Sequence, residues 1–191
     1  MRKLFLLFLI LFYAGNAFAQ KKVEQERRIK KQELPESAVD WLHDAFDGKK
    51  KVRWYLENSD KGTSYEAKFI WKNKFHSVEF DASGKIQDVE VELTLQELDA
   101  VVVKNLQKYF SESYRDYKIQ RIQIQYTGEE EDLEDFFDDE KKDGITVRYE
   151  IEYLGKPKDG EQLLWEGLFD DQGKLISKRE VEIRIMDNLI F

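Results

Sequence analysis

Eight stretches of this chain alternate apolar and polar residues with a period of two, and turn-forming residues separate them. Between residues 145 and 153, Ile145, Val147, Tyr149, Ile151 and Tyr153 fall on one side, and Thr146, Arg148, Glu150 and Glu152 on the other. Successive side chains of a strand point to opposite faces, so this pattern demands a sheet with one face packed and one in water. The same rule predicts strands at 52–57, 64–71, 75–81 and 86–93, then at 119–126, 145–154, 163–170 and 175–186. The breaks at 58–62, 72–74 and 82–84 have the Asn, Asp, Ser and Gly content of hairpin turns.

Each set of four strands follows a helical pattern. Pro35 suits a first helical turn, where its missing N–H has no intrahelical partner. Ala38, Val39, Leu42, Ala45 and Phe46 then recur at helical spacing until Gly48. Thr94 and Glu97 have capping-box spacing, and Leu95, Leu98, Val102, Leu106, Tyr109 and Phe110 form the apolar stripe of a longer helix. The heptapeptide from Phe80 to Ile86 returns from Phe169 to Leu175 as F-D-x-x-G-K-[IL], at the same place in the element order. Aspartate binds nearby backbone N–H groups and glycine takes the positive φ that closes a tight turn. The expected fold class is therefore α+β: two tandem repeats, each a helix packed on a four-stranded antiparallel meander. Their bounds are 34–93 and 94–191, the second with an acidic insert at 127–144.

The amino terminus reads as a processing signal over 1–19. Arg2 and Lys3 precede an apolar core from Leu4 to Tyr13, and Ala17 and Ala19 supply the small residues before a cleavage point. The apolar run is shorter than the ~20 residues that span a bilayer, and no second run approaches that length. A periplasmic or secreted, not membrane-spanning, protein is expected. Segment 20–33 carries Lys21, Lys22, Arg27, Arg28, Lys30 and Lys31 with little apolar content, and reads as a solvated basic leader. The chain has no cysteine, so no disulfide and no acylated anchor is open to it. Its net charge of −8 argues against nucleic-acid binding, which needs a basic footprint.

These features together resemble the PepSY-like family, β-lactamase-inhibitor-like periplasmic proteins of Bacteroidetes-type bacteria. The residues that carry the likeness are Leu34-Pro35, Phe80-Asp81, Gly84-Lys85, Phe169-Asp170 and Gly173-Lys174. The resemblance implies helix-plus-sheet repeats like those of the β-lactamase inhibitor protein, and no catalytic residue. The long acidic insert departs from the family pattern.

That insert is the most unusual segment, with nine carboxylates among the twelve residues from Glu129 to Glu140. It reads first as a solvated loop. A second reading is a docking loop for an unidentified envelope protein, since Leu133, Phe136 and Phe137 fall at helical spacing beside Glu130 and Asp132. The polar sheet face of Arg148, Glu150 and Glu152 is the other candidate contact. Weak calcium binding is a third reading, although no D-x-[DN]-x-[DN]-G series occurs. His43 and His76 are the only histidines and lack a neighbouring ligand at metal spacing; His76, beside a turn, reads as a surface residue. No cysteine nucleophile, G-x-S-x-G, H-E-x-x-H or phosphate loop is present. The sequence predicts a non-enzymatic binding module without a cofactor, with a small-ligand or calcium-binding protein as the alternative.

Overall fold

A computed structural model describes residues 21–22, 25–59 and 62–181. The expected signal at 1–19 and the last residues of the eighth expected strand, 182–186, lie outside the described residues. The strands are β1 (Lys21–Lys22), β2 (Gln25–Ile29), β3 (Lys50–Ser59), β4 (Gly62–Trp71), β5 (Lys74–Asp81), β6 (Ile86–Leu93), β7 (Asp116–Thr127), β8 (Thr146–Lys156), β9 (Leu163–Asp170) and β10 (Leu175–Val181). The helices are α1 (Glu36–Ala45), α2 (Ala100–Ser113) and α3 (Glu130–Asp139). Among the described residues, β2 to β10 form one antiparallel sheet in sequence order, and the two residues of β1 add in parallel to β10.

The expected pair of tandem repeats, each with its own four-stranded sheet, is not what the chain builds. Strand β6 pairs directly with β7, setting Val89 opposite Tyr126, Val91 opposite Ile124 and Leu93 opposite Ile122. An edge left at β6 would present a row of unpaired N–H and C=O groups, and β7 satisfies them. The helix from the acidic insert then crosses the expected boundary. Leu133 and Phe137 of α3 are buried in the hydrophobic cluster of α1 and β3–β6, with the Phe137 ring 4.8 Å from that of Phe46. The insert is thus an ordered helix, because its apolar residues at i and i+4 found a core to enter.

The basic leader also differs from expectation. Residues 25–29 form an edge strand on β3, and Ile29, opposite Trp54, is 7% exposed in the first cluster. Ile29 enters the core at that register, Glu26 pairs with Lys68 of β4, and pairing to β3 satisfies the backbone of the strand.

Alternation settles which side of the sheet meets the helices. Trp54, Ala67, Phe69, Val78, Phe80, Val89 and Val91 face α1 and α3. Ile122, Tyr149, Ile151, Tyr153 and Phe169 face Leu98, Val102, Leu106 and Phe110 around α2. Ile124 packs on both clusters and joins them. Leu95 departs from the expected stripe: it lies in a short 3-10 turn and is exposed, while α2 begins at Ala100. The capping box holds that turn, with the Thr94 amide donating to Glu97 Oε2 at 2.8 Å. The Lys74 ammonium, with the Thr94 amide and hydroxyl, pulls the Glu97 carboxyl down to about 2. In the second cluster the hydroxyls of Tyr109, Tyr114 and Tyr153 form a triangle, with Tyr114 and Tyr153 2.9 Å apart. Burial raises the Tyr109 and Tyr153 hydroxyls far above the ordinary tyrosine range, so both keep their protons.

The two F-D-x-x-G-K turns share one hydrogen-bond set. Asp81 Oδ1 accepts from the amides of Ser83 and Lys85 at 2.8 and 3.0 Å, and Asp170 Oδ1 from those of Gln172 and Lys174 at 3.0 and 2.8 Å. Gly84 and Gly173 stand at φ +87° and +75°. Each turn also carries the first turn of a helix. A Cβ at Gly84 would lie 2.6 Å from Pro35 Cβ, and one at Gly173 would lie 2.8 Å from the Val102 carbonyl. The motif therefore docks a helix onto a hairpin as well as closing it. Gly84→Ala and Gly173→Ala should each destabilise the protein by roughly 1–3 kcal/mol through positive φ and overlap together. Urea midpoints check this; unchanged midpoints would remove the docking role.

Candidate interaction surface

All three helices pack on one face of the sheet, which leaves the other face, from β2 to β10, to mainly charged and polar side chains, with Tyr55, Ile70, Phe75 and Leu168 among them. The rows follow from the registers. Arg121, Glu152, Glu166 and Arg179 stand side by side across β7, β8, β9 and β10. Two rows along the same face, Glu90, Gln125, Arg148 and Asp170 line up across β6 to β9.

Much of this face is a network rather than a set of solvated charges. Glu166 is 5% exposed and accepts from Arg179 Nε at 2.6 Å, while Arg121 pairs with Glu152. Two carboxylates set opposite each other repel, and the flanking guanidiniums offset that cost. Burial opposes the charge on Arg121, but Glu152, Glu90 and Glu150 more than compensate and raise its pKa. Across the β6–β7 seam, Gln123 Nε2 donates to Glu90 at 2.6 Å, and Gln125 Nε2 to Asp88 and Glu90 at 3.4 Å. On β4, Lys68 lies between Glu66 at 2.8 Å and Glu26 at 2.9 Å, and Ser77 donates to Glu66.

The structure divides the residues expected from sequence to touch a partner. Arg148, Glu150 and Glu152 come together, half-buried, along β8 on the polar face. Glu130, Asp132, Leu133, Phe136 and Phe137 lie on the opposite, helical side. Leu133 and Phe137 are core residues, and Phe136 packs on Tyr126 with ring centroids 4.8 Å apart. The Glu130 carbonyl accepts from the Trp41 indole at 3.3 Å. Asp132 packs against Gly144, where a Cβ would fall 2.4 Å from its Cγ, so it closes the base of the insert. The residues missed from sequence are Glu90, Gln123, Gln125, Glu166 and Arg179. Alternation alone places each on the polar face, but only the cross-strand register brings them into contact.

The insert's carboxylates do not converge. Among the described residues, the one group of three acidic or histidine side chains close enough to share a cation is Glu26, Glu57 and Glu66. The Lys68 ammonium contacts two of these three. His76 is not a surface residue: it is 3% exposed, stacked on Phe69 at 5.4 Å and edge-on to Phe46 and Trp71. Its position on the apolar side of β5 outweighs its nearness to a turn. Its Nδ1–H donates to the Lys74 carbonyl at 3.0 Å, which identifies the neutral tautomer.

No protein-family model and no curated protein sequence matches the chain. Solved structures do. A DUF2874 family protein from Bacteroides uniformis superposes with a TM-score of 0.53 at 16% identity, covering 77% of this chain and 89% of its own. A protein from Bacteroides eggerthii, provisionally assigned to the periplasm, gives 0.51 at 16% identity over 77% and 88%. A BLIP-like protein from Bacteroides fragilis gives 0.48 at 16% identity over 77% and 87%, an overlap too loose to bear on the fold. The first two share this fold. No helix among the described residues is long and apolar enough to cross a membrane.

Burial lowers the His76 pKa to about 4 from its ordinary 6.5. The unfolded chain therefore binds the extra proton between those values, and the stabilisation present above pH 6.5 is lost as pH falls toward 4. The loss is at most about 3 kcal/mol. Denaturant midpoints of the wild type should fall more steeply over this window than those of His76→Phe; parallel profiles would contradict the buried neutral histidine.

Proposed function

We propose that this chain is an exported, non-enzymatic binding protein that recognises a protein of the bacterial envelope through the polar face of its sheet. The observation that carries this reading is the division of the molecule into a helix-covered face and a second face, crossing β2 to β10, on which charged and polar side chains are interleaved with a few apolar ones such as Tyr55 and Leu168. Half-buried, cross-braced charged side chains are held in place before a partner arrives, which lowers the entropy cost of binding. Arg148, Glu150 and Glu152 are the proposed contacts, since they project from an interior strand of that face, paired on both sides. Export through a signal cleaved after Ala19 is supported by the sequence, and the Bacteroides eggerthii neighbour is assigned to the same compartment. Inhibition of an envelope hydrolase is the version favoured by the β-lactamase-inhibitor-like resemblance of the sequence.

Affinity capture from an envelope extract of the source bacterium, with residues 20–191 as bait, tests the reading. Arg148→Ala combined with Glu150→Ala should release a partner that the wild type retains, with the fold unchanged by circular dichroism. Equal retention by both baits, or no enriched partner, would overturn the assignment of this face. The inhibitor version further predicts that micromolar protein lowers a hydrolase activity of the extract.

A further inference from the structure

On the helical side, the carboxy-terminal ends of α1 and α3 converge on the tip of the β4–β5 hairpin. Between them lies a cleft of about 360 Å³, bounded by Asp47 and Gly48 after α1, Phe137 and Asp138 of α3, and Trp71 and Lys72 of the hairpin. A smaller recess of about 240 Å³ continues past Phe136 toward Glu140 and Lys142. Sites for small molecules occupy about 300–1,000 Å³, so this cleft stands at the small end of that range and has room for one long side chain.

Three independent sources make the cleft favourable for a cation. Both helices end here, and a helix carries a partial negative charge at its carboxy terminus from carbonyls without intrahelical partners. The chain already answers one of them: Lys49 Nζ donates to the Phe46 carbonyl at 2.8 Å. Asp47 and Asp138 add full negative charges at the rim. The electron-rich face of Trp71 supplies the third, and its orientation is fixed by a 2.7 Å hydrogen bond from Nε1 to the Asp47 carbonyl. The protein's own lysine demonstrates the effect, since Lys72 Nζ lies 4.0 Å from the Trp71 ring centroid. That lysine is a weakly held occupant. Its side chain is 59% exposed, and its nearest carboxylate, Glu140, stands 3.9 Å away. Lys72 also stands at φ +46°, a left-handed conformation that a turn imposes on it. The field around α3 is legible on Glu134, whose pKa is raised by burial and then by Asp44, Asp135, Asp138 and Glu130.

We propose that this cleft receives an arginine side chain from a protein partner, with its guanidinium stacked on Trp71 in place of Lys72 and paired to Asp138. Arginine fits better than lysine because a planar guanidinium stacks on an indole while still forking toward a carboxylate. The contact lies on the side of the molecule opposite the polar sheet face, and stands whether or not that face binds a partner.

The test titrates isotopically labelled residues 20–191 with Nα-acetyl-arginine methylamide and follows the indole N–H resonance of Trp71. A saturable shift in the millimolar range is expected from one exposed cation–π and ion-pair contact. Lys72→Gln removes the resident cation and should tighten the arginine probe by about threefold, whereas Asp138→Asn should weaken it. The neutral isostere, Nα-acetyl-citrulline methylamide, should leave Trp71 unmoved. No saturable shift at Trp71, an equal response to citrulline, or no tightening in Lys72→Gln would overturn the proposal.

Discussion

The pairing of β6 with β7 is the contact on which the rest of this molecule depends. Strand β6 ends one meander and β7 begins the next, with α2 passing over the apolar face between them. Joined along Val89 to Leu93, the two meanders become one sheet with one apolar and one polar side. The seam is braced on both surfaces. Val89, Val91, Ile122 and Ile124 pack beneath it, and Gln123 and Gln125 hold Glu90 and Asp88 above it. Remove that seam and the row from Glu90 to Asp170 loses its register.

The acidic insert reinforces the union from the other side. Its nine carboxylates surround two side chains, Leu133 and Phe137, that belong to the core of the opposite half of the chain. A segment that looks like a surface appendage by composition is thereby a strut between halves. Its charge also falls where the ends of α1 and α3 meet, which gives the helical side an electrostatic character of its own. The two sides thus differ in chemistry: a braced lattice of paired charges on the sheet, and a small cation-favouring cleft beneath the helices.

Local periodicity was legible in the sequence and long-range assembly was not. The strands at 86–93 and 163–170 were bounded to the residue, because a period of two and flanking turns are local signals. The roles of Asp81, Gly84, Asp170 and Gly173 were legible for the same reason. Whether β6 would meet β7 or end a separate sheet depended on partners about thirty residues apart, and no local pattern encodes that. Nearness to a turn suggests a surface place for His76, yet it alternates with Val78 and Phe80 on the apolar side of β5 and is buried with them. Alternation alone brings Arg148, Glu150 and Glu152 together, whereas acidic composition and the helical spacing of Leu133, Phe136 and Phe137 single out the insert without saying where it packs. The core that claims Leu133 and Phe137 is built from the first half of the chain, beyond the reach of any short window.

One sheet and one joined core make the two halves of the chain a single cooperative unit. Differential scanning calorimetry of residues 20–191 tests it most directly. A single transition, with calorimetric and van't Hoff enthalpies equal, is the result the continuous sheet predicts. Two resolved transitions, or a calorimetric enthalpy well above the van't Hoff value, would contradict it and restore two independently folding halves.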